Sequence, residues 1–305
     1  MNHDLVFIAS GGRTGTTFFG KRLSGVIEDC WSEHEPDVLV LDRAKSLPRI
    51  RQFGLWHMVF GRLLGQSGLR PIGHRLMAGR IDEQTAIAQL RAQRATYHAG
   101  IPKSLVVESN GRFWMVAPVL NKAFPGSRLI GVVRDPRDWV ESWVRHQPDR
   151  HTRGFMQWFP LGPLTPAQVG DARWAGRWPS LDQFGRLAWD WRCITGRLEE
   201  AQQTSPEKVR IYRFEDLFGH ADEIIRQCVE FAAFDGKYPV SDLGGFTEKK
   251  ANSSAGPRRD WRHWPSSDVL LLDQICGEQM REYGYGLETE WLAQLEEARA
   301  EVQSA

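Results

Sequence analysis

Three short stretches of this chain combine residue types that could do chemistry. The first is Ser10-Gly11-Gly12-Arg13-Thr14-Gly15-Thr16-Thr17, where three glycines let the backbone approach an anion closely and an arginine and several hydroxyls can contact it. The second is Arg134-Asp135-Pro136, with Ser142 eight residues after the arginine. A guanidinium suits bidentate phosphate binding, and a hydroxyl one to two helical turns further on could touch the same phosphate. The third is Ser32-Glu33-His34-Glu35-Pro36, which offers three side chains able to take a proton. An unperturbed imidazole titrates near physiological pH, whereas Glu33 or Glu35 would need burial to become a stronger base.

Each stretch needs an element to aim it. The glycine-rich segment follows an apolar run at 5–9 and opens a segment of helical period, where backbone N–H groups and a helix dipole hold phosphate. Further β-branched runs at 105–107, 129–133 and 209–212 predict strands. Helical periods are expected after Thr16 and over 83–98, 113–124, 136–146, 180–203, 222–232 and 266–283, with Pro125-Gly126 ending the 113–124 helix. Strands alternating with helices predict an α/β fold of three layers, a central parallel sheet flanked by helices with a phosphate-binding loop after strand 1. Arg134 then ends a strand, with Asp135 as N-cap and Pro136 at the first helical position. The stretch 147–179, dense in Gly, Pro and Trp and without period, is expected to be a long loop, and the basic stretch 43–80 has no assigned element.

A Walker A loop, GxxxxGK[ST], would need glycine at Ser10 and lysine at Thr16, and both positions fail. Instead, the loop resembles the 5′-phosphosulfate loop of the sulfotransferases that use 3′-phosphoadenosine-5′-phosphosulfate (PAPS), and Arg134 with Ser142 resembles their 3′-phosphate site. The two motifs stand in the family's order, about 120 residues apart. The resemblance implies that Gly12, Arg13, Thr14, Gly15, Thr16 and Thr17 hold the 5′ end of PAPS or its product PAP, with Arg13 stabilising charge on the departing phosphate. It further implies that Arg134 and Ser142 hold the 3′-phosphate, and that a C-terminal basic loop with Lys249, Lys250 and Arg258 closes over the nucleotide, with no metal required. The family's base, a His or Glu after the first helix, falls on Glu33–Glu35; many relatives carry Glu directly before Pro, which favours Glu35, then His34, then Glu33. Segment 209–217 resembles a late strand and turn of the family and is given no chemistry. Where many relatives have an acidic residue followed by Lys, this chain has Glu108-Ser109.

Composition is ordinary for a globular protein, at 41% hydrophobic and 25% charged residues, and 305 residues without a linker predict a single domain with acceptor-side insertions at about 42–103 and 147–180. A net charge of +1 gives no overall field for nucleic acid, so any anion site is local. No stretch approaches the roughly 18 apolar residues of a membrane span, so no stable membrane insertion is expected. Cys30, Cys193, Cys228 and Cys276 stand far apart, which argues against a zinc site or disulfide framework and fits reduced thiols in a cytoplasmic protein. The acceptor is expected to be a hydroxylated small molecule, carbohydrate or lipid, and some of the thirteen Trp could grip it, although core packing is the simpler role for each. A small-molecule kinase and a non-catalytic nucleotide binder stand as alternatives, and the oligomeric state is open.

Overall fold

The computed structural model describes residues 3–38, 43–60, 67–147, 163–218, 222–244, 246 and 259–304. Five strands, β1 (Asp4–Ser10), β2 (Cys30–His34), β3 (Leu105–Asn110), β4 (Arg128–Val133) and β5 (Val209–Arg213), form one parallel sheet in the order β2-β3-β1-β4-β5. The helices are α1 (Thr16–Arg22), α2 (Arg43–Phe53), α3 (Leu69–Met77), α4 (Glu83–Ala99), α5 (Ala117–Ala123), α6 (Pro136–His146), α7 (Ala172–Ala175), α8 (Gln183–Thr204), α9 (Phe214–Phe218), α10 (Asp222–Ala232), α11 (Ser266–Glu282) and α12 (Thr289–Ser304).

Side-chain alternation along β1 makes the layers. Val6 and Ile8 point to one face, against Phe18 and Phe19 of α1 and Val229 of α10, whereas Phe7 and Ala9 point to the other, against Leu120 of α5. Because helices cover both faces, the central strand reads as a continuous apolar run instead of an alternating one. Each fully buried large apolar side chain contributes about 1.5–3 kcal/mol. The chain leaves β1 toward β2 on one side and later crosses from β3 to β4 on the other, so the two crossovers lie on opposite faces. The carboxyl end of β1 sits at that reversal, where open parallel sheets bind ligands.

The expected α/β architecture and the strands at β1, β3, β4 and β5 are present, and three expected helix starts are capped by Asp82, Asp135 and Asp182. Several expectations need correction. β2 was not expected as a strand: it is short, lies at the sheet edge and is largely polar, with an exposed Trp31, so it lacks the apolar alternation that marks a strand. Residues 113–116 form a 3₁₀ turn ahead of α5 instead of one continuous helix, with Pro118 in the first turn of α5. The stretch expected as a loop contains α7 and 3₁₀ turns at Pro166–Val169 and Trp178–Ser180, folded down around a fully buried Trp174. The unassigned basic stretch carries α2, a π-helical turn at Trp56–Phe60 and α3, and a terminal helix, α12, was missed.

Candidate active site at the carboxyl edge of the sheet

Parallel strands bring their carboxyl ends to one edge, and the three candidate stretches meet there. Beyond β1 the loop takes a left-handed backbone at Gly12 (φ 75°), Arg13 (φ 59°) and Gly15 (φ 79°). At Gly15 a Cβ would come within 2.7 Å of the Phe218 ring, so both conformation and space require glycine. Left-handed residues in a glycine-rich turn are also found in the backbone nests that bind anions. Arg13 is the departure from rule, since a bulky residue seldom adopts positive φ, and such strain concentrates at ligand clamps.

Neighbouring elements hold this conformation. Trp139 of α6 donates its indole N–H to the Gly12 carbonyl (2.9 Å), and Trp191 of α8 donates to the Arg134 carbonyl (2.8 Å). Arg134, just beyond β4, donates from Nη1 to the carbonyl of Arg13 (3.1 Å), and Arg13 donates from Nε to Ser142 Oγ (3.2 Å). The two expected halves of a nucleotide site are thus hydrogen-bonded to each other across 121 residues of sequence. Ser142 reaches the loop arginine, which makes it a bridge between the halves. Arg134 also pairs with Asp138 (3.2 Å) and lies over the Phe214 ring at 4.8 Å, yet its buried Nε–H has no hydrogen-bond partner among the described residues. The buried Thr14 hydroxyl lacks one as well. Two orphaned donors at a left-handed, glycine-rich loop suit a phosphorylated ligand, since buried donors otherwise find partners. Lys249, Lys250 and Arg258 lie outside the described residues.

The turn at Arg134 is tied down by residues from the C-terminal part of the chain. Arg137 binds Asp135 (2.6 Å) and Glu288 (2.6 Å) and lies against the rings of both Trp261 and Trp291. Glu215 accepts from the Asp135 amide (3.2 Å) and from the Tyr285 hydroxyl, and burial raises its pKa. Segment 209–217, given no chemistry from the sequence, thus braces the Arg134 turn through Glu215 and Phe214.

The three candidate bases differ in what they touch. Glu33 accepts from Arg49 (3.2 Å) and from the Tyr97 hydroxyl (3.1 Å), so its carboxylate is engaged. His34 faces the other side of β2, opposite Ser109 of β3, and its Nδ1 lies 3.0 Å from Ser109 Oγ. Ser109 Oγ donates to the Thr16 carbonyl (2.8 Å), which can only accept, so the hydroxyl accepts from His34 and Nδ1 carries the proton. In neutral His34 the lone pair is then on Nε2. Burial lowers the His34 pKa, with the Glu35 carboxylate opposing the shift. Glu35 has φ 48° and makes no side-chain hydrogen bond or ion pair among the described residues. A Cβ placed on Gly111 would be 3.9 Å from Glu35 Oε1 and 3.6 Å from the Gly12 amide nitrogen, so that glycine keeps a gap open between carboxylate and loop.

Sequence reasoning missed the Ser109 link, whose only signal was a serine where many relatives have lysine. It also missed the two indole bonds. Trp139, Trp174, Trp189 and Trp191 are buried, so core packing is their place and a sugar-gripping face is not; Trp158 lies outside the described residues. Glu108 is buried in a cluster with Arg94 (3.1 Å) and His98 (2.7 Å), and Arg94 also lies 3.7 Å from Asp37. Among the described residues, no group of three His, Cys, Asp or Glu is arranged to hold a metal. None of the candidate residues lines the cleft of about 730 Å³ between α8 and α11.

The sequence matches no protein-family model and no curated protein. Among solved structures, the chain is similar to sulfotransferase STF9 from Mycobacterium avium, with a TM-score of 0.52 and 14% identity over 95% of this chain and 79% of that one. It also aligns with mouse sulfotransferase SULT7A1 complexed with PAP (TM-score 0.44, 12% identity, 97% of this chain and 89% of that one). A sulfotransferase from Alicyclobacillus acidocaldarius aligns with a TM-score of 0.42 and 15% identity, over 91% of this chain and 97% of that one. Similarity at this level concerns the backbone, and with five parallel strands and the loop after β1 it establishes that this chain has the sulfotransferase fold.

Proposed function

We propose that this chain is a sulfotransferase that takes the sulfuryl group of PAPS to a hydroxyl on a small-molecule, carbohydrate or lipid acceptor. The observation that carries the reading is the hydrogen-bonded convergence of Arg13, Arg134 and Ser142 around a loop with left-handed Gly12, Arg13 and Gly15. Bound PAPS would supply the sulfuryl group and an in-line phosphate leaving group. The loop amides with Thr14, Thr16 and Thr17 hold the 5′-phosphate end, and Arg13 stabilises the charge growing there. Arg134 and Ser142 serve the 3′-phosphate. Sulfuryl transfer, like phosphoryl transfer, passes through a loose transition state, so positioning and charge stabilisation supply most of the rate. Glu35 takes the acceptor proton, a role supported by a carboxylate that makes no hydrogen bond or ion pair among the described residues and lies across the gap from Gly12.

One observation favours His34 for that role, namely the Ser109–Thr16 chain that leaves its Nε2 as the basic nitrogen. Turnover of labelled PAPS against hydroxylated sugars, lipids and phenols, with PAP affinity measured by calorimetry in chelator, separates the readings. Glu35→Gln should lower kcat by roughly 10²–10⁴-fold at near-normal PAP affinity. If His34→Ala has that effect and Glu35→Gln does not, the base is His34. Failure of PAP to bind, or binding abolished by chelator, refutes the proposal.

A further inference from the structure

Between Arg43 and Ile81 the sequence holds seven arginines and one lysine and no Asp or Glu, in a chain whose basic and acidic totals are 39 and 38. Within that stretch, Leu47, Leu55, Trp56 and Phe60 are each at least half exposed, at 57%, 52%, 56% and 50%. Scattered exposed apolar residues are normal, but four within fourteen positions inside the most basic part of the chain call for a partner. We propose that the outward side of α2 and the following π-helical turn adsorbs on an anionic lipid surface.

The inner side of this segment is firmly seated. Phe53 stacks on Tyr97 at 4.8 Å, and Met58 is buried in the same cluster with Ile101 and Val106. Its outer side is therefore presented by a packed element. Trp56 and Phe60 stand together, with ring centroids 6.4 Å apart, and Leu55 adjoins them. On α2, Leu47 and Arg51 are exposed one turn apart, and Arg51 makes no ion pair among the described residues.

Exposed apolar and cationic side chains within one short segment are what a headgroup layer accommodates. Trp, Phe and Leu enter the boundary between headgroups and acyl chains, while arginine extends to the lipid phosphates. Other occupants satisfy only half of this chemistry. A second copy of the same surface would set like charge against like charge, and nucleic acid would take the charge but leave the apolar groups wet. Adsorption needs no spanning segment, and no helix among the described residues is long and apolar enough to cross a membrane. The inference stands independently of the donor site.

The test is cosedimentation of the full chain with vesicles of phosphatidylcholine alone or mixed with phosphatidylserine, at low and high salt. Binding should require the anionic lipid and weaken with salt. The double variant Trp56→Ser/Phe60→Ser should bind at least roughly tenfold more weakly, from the apolar area lost. Arg51→Glu should lose roughly tenfold, from one lipid-facing charge reversed. Both should keep the parent Tm and PAP affinity; if the double variant melts early, Arg51→Glu alone decides. The proposal is overturned if anionic vesicles retain nothing at low salt, if neutral vesicles bind equally well, or if the variants bind like the parent. It is equally overturned if the variants lose self-association or duplex DNA binding while vesicle binding is absent throughout.

Discussion

Gly20 lies in α1, where replacing glycine by alanine ordinarily stabilises a helix by about 1 kcal/mol. Here the opposite sign is expected. A Cβ at this position would lie 2.5 Å from Ser109 Oγ, 2.7 Å from His34 Cβ and 2.7 Å from the His34 backbone nitrogen. The hydroxyl could rotate away, but the His34 backbone cannot, because β2 is fixed in register with β3 at His34–Ser109. α1 must therefore lift off the sheet, and overpacking of this kind costs about 1–3 kcal/mol. Set against the helical gain, Gly20→Ala should destabilise the fold by up to about 2 kcal/mol. Because α1 begins at Thr16, directly after Gly15 of the loop, PAP affinity should fall as well. Urea unfolding followed by circular dichroism reads the first effect as a lower midpoint at unchanged slope, and calorimetry reads the second. Adding Ser109→Ala removes the 2.5 Å contact and leaves both His34 contacts, so rescue should be partial. A Gly20→Ala protein more stable than the parent by about 1 kcal/mol, with PAP affinity intact, would refute the argument that α1 is seated directly on β2 and β3.

Burial lowers the His74 pKa to about 4, with Arg70, Arg112 and Arg80 acting in the same direction and Asp190 opposing. The native state thus holds this proton less tightly than the unfolded chain, so stability is intact above the ordinary value of 6.5 and falls by up to about 3 kcal/mol as pH drops from 6.5 to about 4. His74→Leu should flatten the slope of urea midpoint against pH in that window, and an unchanged slope would contradict the assignment. Ser109→Ala should let an Nε2–H tautomer of His34 appear in long-range ¹H–¹⁵N spectra; a single Nδ1–H species in the variant would show that Ser109 does not select it. Arg134→Ala should weaken PAP binding by about 1.5–3 kcal/mol. Adenosine-5′-phosphosulfate, which lacks the 3′-phosphate, should lose only about 0.5–1.5 kcal/mol through the missing bond to the Arg13 carbonyl, and equal losses would remove Arg134 from the 3′-phosphate.

The parts of this site that were legible in sequence are those where backbone geometry restricts residue type. Left-handed turns at Gly12 and Gly15 leave a mark because few residues other than glycine fit there, and the Asp135-Pro136 helix start leaves one because a cap and a proline occupy defined positions. Buried strands such as β1 and β4 were legible for the same kind of reason, since cover on both faces demands apolar runs. β2 obeys no such demand. Among the described residues its outer edge is unpaired, and Glu33 and His34 are polar on its two faces because they bond across to Tyr97, Arg49 and Ser109. The residues that make it useful as a candidate base strand are those that hide it as a strand. Trp139 and Trp191 show the converse. As buried aromatics they read as core, and they are core, but each also spends its one N–H on a carbonyl of the candidate site, at Gly12 and at Arg134. Nothing in residue type distinguishes such an indole from one that only fills volume, because the partner is set by the fold: α6 and α8 must first pack on the sheet before either carbonyl comes within 3 Å. The loop conformation is therefore written in two places, in its own glycines, which permit it, and in two distant helices, which hold it.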